Sequence, residues 1–141
     1  MEIYLFSNSS LDDEKTSEDA VRKVKEIAKK HHLFDTEIKR GKNGKPFFSK
    51  SNEMFFNISH TDGITAIAFS NQEIGIDVEK ADYFNEKIID RFYSNDEKNE
   101  ILNSGEDKDF QKLKSVEIWT RKEAEIKKQG KSIFNLFNDK G

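Results

Sequence analysis

The chain has 141 residues, 36% of them charged and 34% hydrophobic, with a formal net charge of −3 and no cysteine. The slight acidity argues against nucleic acid as the main partner, and the absence of cysteine excludes a disulfide framework and a zinc–thiolate site. No stretch approaches the ~20 apolar residues of a membrane helix, and the opening Met1-Glu2-Ile3-Tyr4-Leu5-Phe6 lacks the basic region and long apolar run of a signal peptide. The expectation is a soluble, cytoplasmic, single-domain protein with no membrane partner, its lean core resting on 12 phenylalanines.

In chain order, Glu2 to Ser7 alternates as a strand. Thr16 or Ser17 suits the cap of a helix reaching about His32, with Ala20, Val21, Val24, Ile27 and Ala28 as its apolar stripe. A polar strand near Asp35 to Lys39 leads into the breaker-rich turn Arg40 to Pro46, and Phe47-Phe48 begins an extended piece. Three strands follow, Met54 to Ile58, Ile64 to Ser70 and Glu73 to Val78, with Ser59 to Gly63 and Ser70 to Gln72 as the connecting hairpin loops. Beyond Lys80 the period turns helical. Ile88, Ile89 and Phe92 suggest a short helix, and Ser94 with Glu97 forms a capping box that opens another. A longer helix from about Lys108 to Gln129 carries Phe110, Leu113, Val116, Trp119 and Ile126 and stops at Gly130. Ile133, Phe134, Leu136 and Phe137 form a last apolar cluster.

Asp77 and Glu79, two apart on the third strand, project to one face, and Gly75 suits a close backbone approach. Trp119, Glu123 and Lys127 are spaced by four and share a helical stripe. Carboxylates are the hard oxygen ligands that magnesium prefers. Asp77, Glu79 and Glu123 would make a half-shell for it, while Lys127, with Lys122 and Lys131 nearby, would meet a phosphate. A lone Asp-x-Glu is more often an ordinary pair on an edge strand, and Glu123 with Lys127 reads equally as an intrahelical ion pair of little energetic weight. The combination is what favours a site. Trp119 by itself reads as core. Ser59 and His60, in a tight loop, offer a hydroxyl, an imidazole and loop amides to a phosphate. Gly44-Lys45-Pro46 is not a P-loop, because the following Ser or Thr and the upstream glycine spacing are missing.

Taken in order, five segments resemble the 4′-phosphopantetheinyl transferases of the surfactin-synthetase-activating (Sfp) type. They are Gly44 to Phe48, Phe56 to His60, Ile74 to Lys80, Arg91 to Ser94, and Trp119 to Lys131. The resemblance implies an enzyme that moves the 4′-phosphopantetheine arm of coenzyme A onto a serine of an apo acyl or peptidyl carrier protein, with Mg2+ as cofactor. It implies that Asp77, Glu79 and Glu123 hold the metal, that Glu123 also helps deprotonate the serine, and that Lys127 neutralises pyrophosphate charge. It further implies coenzyme A contacts from Ser59, His60, Lys45, Pro46 and Lys122, with Arg22 and Lys23 on the first helix meeting the 3′-phosphate, and carrier docking on the stretch Ala81 to Phe92.

The fold so implied is α+β, with two pseudo-symmetric α/β lobes that each hold a small antiparallel sheet. The lobes span about 1–72 and 73–141 of one domain, and the second is truncated. The strands that usually complete it are missing after Lys131, so the aromatic tail with Phe134 and Phe137, or self-association, would cover the exposed apolar surface. A truncated relative that binds coenzyme A or a carrier protein without transferring is the alternative, and the presence of all three carboxylates and Lys127 speaks against it.

Overall fold

The computed structural model describes residues 1–8, 12–80 and 86–131. The expected docking stretch from Ala81 therefore lies outside the described residues as far as 85, and the aromatic tail lies outside them entirely. The chain divides into two compact units, one made of Met1–Val78 with the chain from Glu123 onward, the other of Glu79–Lys122.

The first unit begins with strand β1 (Glu2–Ser7) and helix α1 (Asp13–Lys30), and continues through β2 (Ile38–Arg40), β3 (Pro46–Phe48), β4 (Phe55–Thr61) and β5 (Ile64–Ser70). Strands β1, β5 and β4, in that order, form an antiparallel sheet, with Glu2 opposite Phe69 and Phe55 opposite Ser70. The turn between β4 and β5 is only Asp62-Gly63, and Gly63 takes φ 87°, a left-handed conformation that glycine adopts without strain. β2 and β3 form a separate hairpin with Ile38 opposite Phe48. Alternation along the strands delivers Phe56, Ile67 and Phe69 to the face that receives Val24, Ile27 and Ala28 of α1, and Phe48 joins them to close the core. Burying each of the larger side chains contributes about 1.5–3 kcal/mol.

Two expectations change here. α1 starts earlier than a Thr16 or Ser17 cap allows, because the Asp12 carboxylate accepts the N–H groups of Glu14 (3.0 Å) and Lys15 (3.3 Å). Thr16 is inside the helix and buried, its hydroxyl donating to the Asp12 carbonyl. Residues 73–78 pair with no strand. Their backbone groups are held by side chains instead, as described below.

The second unit holds α2 (Glu86–Phe92), α3 (Asn95–Leu102) and the first turns of α4 (Lys108–Lys128). The capping box is present: the Ser94 hydroxyl accepts from Glu97 N–H (3.1 Å) and the Ser94 N–H donates to Glu97 Oε1 (2.8 Å). Trp119 is buried and its ring centroid is 5.9 Å from that of Phe92. Tyr93 is buried and donates its hydroxyl to the Ser115 carbonyl (2.5 Å). On α4 the buried side is Ser115, Val116, Ile118 and Trp119, whereas Phe110 and Leu113, expected on the apolar stripe, are exposed. The first turns of the helix lie ahead of the point where Tyr93 engages it.

Glu97 also receives the Lys122 ammonium at 2.7 Å. Burial alone would raise the Glu97 carboxyl, but the bonds from Lys122 and from the Ser94 backbone outweigh it and hold the group below the ordinary glutamate value. A lowered native value means stability that is complete above the unfolded-state value and lost as pH falls through the native one. Glu97→Gln is therefore expected to flatten the acid limb of a pH-dependent urea-unfolding series, with no change in its slope near neutrality.

Candidate active site

The site is built where residues 73–78 cross the last turns of α4, all within the first unit. Gly75 sets the approach. A Cβ there would fall 1.9 Å from the Ala124 carbonyl oxygen and 2.5 Å from the Lys128 nitrogen, so only glycine lets the two backbones meet. Lys45, in the loop before β3, clamps the crossing. Its ammonium donates to Glu73 Oε2 (3.1 Å), the Ile74 carbonyl (3.0 Å) and the Lys128 carbonyl (3.1 Å), which uses all three of its N–H groups. Asn43 adds a bond to the Gly130 carbonyl (2.9 Å).

From the sheet side, two buried polar residues of β4 reach across. Asn57 Oδ1 accepts the Ile76 N–H (2.9 Å). The Ser59 hydroxyl accepts the Val78 N–H (3.1 Å) and donates to Asp77 Oδ1 (3.2 Å). These side chains replace a strand ladder, and they fix Asp77 rather than merely burying it. Lys127 Nζ donates to the Ile58 carbonyl (2.8 Å), so the same strand also orients the ammonium one turn beyond Glu123. Ser59→Ala removes two of these bonds at once and is expected to cost about 1–3 kcal/mol, read by urea unfolding.

Two clefts meet at Lys45 and Pro46. One, of about 240 Å³, is bordered by Asn43, Lys45, Asn57, Lys127 and Lys131. The other, of about 470 Å³, is bordered by Lys42, Pro46, Phe48, Phe55 and Phe56. A cationic recess beside an aromatic-walled one suits a ligand that joins phosphates to a flat apolar group.

The structure thus brings Lys45, Pro46, Ser59, Asp77, Glu123 and Lys127 into one region. Ser59 and His60 are not loop residues, since both lie within β4, where successive side chains face opposite ways. Ser59, expected at a phosphate, is buried and bonded to Asp77. His60 sits opposite Thr65. On α1, Arg22 is bonded to Asp19, and Lys23 lies 4.1 Å from the Phe6 ring centroid; neither borders the two clefts. Glu79 and Lys122 belong to the second unit. Among the described residues no group of three or more His, Asp or Glu side chains forms a ready metal cage. The donors themselves are hard carboxylate oxygens, the class magnesium selects. The sequence reading missed Asn57 and the clamping by Lys45. A polar residue at a core position of β4 was the available signal for Asn57.

The profile of the 4′-phosphopantetheinyl transferase superfamily matches residues 73–140. The 4′-phosphopantetheinyl transferase Sfp of Bacillus subtilis (strain 168) is 38% identical over 90 residues, 64% of this chain and 39% of that protein. The chain is similar to the Sfp-type 4′-phosphopantetheinyl transferases. The 4′-phosphopantetheinyl transferase gsp of Aneurinibacillus migulanus and psf-1 of Bacillus pumilus are each 33% identical over 101 residues, 72% of this chain and 41% of theirs. The chain therefore spans about two fifths of the length of these transferases. Its α+β architecture of helices and small antiparallel sheets is that of a domain of this superfamily. No helix among the described residues is long and apolar enough to cross a membrane.

Proposed function

We propose that this chain transfers the 4′-phosphopantetheine group of coenzyme A to a serine of an apo acyl or peptidyl carrier protein. The observation that carries the reading is the crossing itself: the segment bearing Asp77 is locked by Gly75, Lys45 and Ser59 against the turns of α4 that bear Glu123 and Lys127. Sequence kinship with named transferases supports the choice of reaction.

In this reaction the carrier serine oxygen attacks the phosphorus next to the pantetheine, the pyrophosphate bridge breaks, and adenosine 3′,5′-bisphosphate leaves. Glu123 takes the serine proton, directly or through water. An ordinary glutamate is a weak base near neutral pH, so neighbouring cations must favour the alkoxide as it forms. Lys127, aimed by its bond to Ile58, neutralises charge on the leaving phosphate. Asp77, Glu79 and Glu123 would hold magnesium, which when bound shields the pyrophosphate and withdraws charge from it. Ser59 positions Asp77. Lys45 and Pro46 form the shared wall between the larger cleft and the cationic one, His60 and Lys122 would add phosphate contacts, and Arg22 and Lys23, which lie away from both clefts, would meet the 3′-phosphate. The pseudo-symmetric two-lobed plan belongs to the same proposal, as does a cytoplasmic setting.

Chromatography of the chain with coenzyme A, magnesium and an apo carrier protein should show adenosine 3′,5′-bisphosphate appearing as coenzyme A disappears, and only when the carrier is present. Intact coenzyme A with several carriers, beside calorimetric coenzyme A binding, would replace transfer with binding alone.

A further inference from the structure

β1 is an edge of the three-stranded sheet, with β5 as its one neighbour among the described residues. Edge strands are commonly protected by lysine, proline or a bulge. Glu2–Ser7 contains neither lysine nor proline and pairs with β5 in unbroken register. Its outward alternation is apolar: Ile3 is 55% exposed and Leu5 67%. The opposite face of the same strand is charged in a polar order. At its start Glu2 is bonded to His31 at the end of α1 (2.9 Å), and near its end the Lys23 ammonium lies over Phe6.

We propose that β1 is the interface of a two-fold dimer, in which the β1 strands of two copies pair antiparallel about Tyr4. Tyr4 then lies opposite its own copy, and Ile3 opposite the partner's Leu5. Both apolar pairs meet on the outer face, where each side chain covers the other. On the α1 face the same operation sets Glu2 opposite Phe6, and so against the Lys23 ammonium that lies over that ring. The charge pattern is self-complementary under this one operation, as an isologous interface requires. Shifting the register by one residue sets Ile3 against Phe6 and sends the apolar pairs to opposite faces. The interface joins two three-stranded sheets into one of six strands.

Sedimentation velocity of the 141-residue chain at rising concentration should show a species of twice the 16.4 kDa chain mass. Leu5→Lys should weaken association at least tenfold with an unchanged circular dichroism spectrum. Lys23→Glu alone should weaken it, and adding Glu2→Lys should restore it, a result that general damage to the fold cannot mimic. Because the native chain has no cysteine, register is read directly. An oxidised mixture of the Ile3→Cys and Leu5→Cys variants should form the mixed disulfide in preference to either homodimer, since directly opposed Cα atoms lie within disulfide reach. A monomer at every concentration, a dimer indifferent to Leu5→Lys and to the charge reversals, or homodisulfides in preference to the mixed one would each overturn the proposal.

Discussion

Gly75→Ala should destabilise the chain by about 1–3 kcal/mol or more, although it adds a single methyl group. The added carbon would meet the Ala124 carbonyl and the Lys128 backbone, none of which is the flexible end of a side chain. The crossing must open, and the bonds that depend on it must lengthen: Lys45 to Ile74 and Lys128, Asn57 to Ile76, and Ser59 to Asp77. The comparison is Gly41→Ala, where the new Cβ would stand an ordinary 3.7 Å from the Lys45 carbonyl. That change should stay within about 0.5 kcal/mol. Urea unfolding followed by circular dichroism separates the two. Equal stability of both variants would show that the close approach does not hold the segment in place.

The second large effect is chemical. Glu123→Gln keeps the size and the helix but removes the charge, so transfer should fall about 10²–10⁴-fold, the range attributed to a positioned acid–base group. Glu125→Gln, two residues further along the same helix, is the control, because Glu125 is exposed and accepts one long bond (3.3 Å) from the Gln129 side-chain amide. Retained transfer in the Glu123 variant would remove the role given to that carboxylate. A parallel loss in both variants would point to the helix rather than to the residue.

Much of the fold was legible in local sequence chemistry. The Ser94–Glu97 box and the α4 stop at Gly130 each follow from a few neighbouring residues whose hydrogen bonds close locally, whereas the β4–β5 loop, expected over Ser59 to Gly63, shrinks to Asp62-Gly63. The α1 start was misjudged by a few residues because two caps were chemically acceptable, and Asp12 won by reaching two N–H groups at once. The construction of the candidate site was not legible. Residues 73–78 alternate well enough to read as a strand, yet their N–H groups go to Asn57 and Ser59. Those partners lie 19 residues earlier in the chain, and no local pattern announces them. For the same reason nothing local shows that the Ser59 hydroxyl bonds Asp77, or that the ammonium of Lys45, expected as a coenzyme A contact, ties together two backbone segments.

The most direct measurement is the intact mass of an apo carrier protein after incubation with this chain, coenzyme A and magnesium. A gain of one phosphopantetheine, abolished by chelating the metal and by Glu123→Gln, is the expected result. An unchanged carrier mass across acyl and peptidyl carriers, with the chain folded and coenzyme A in excess, would contradict the transferase reading.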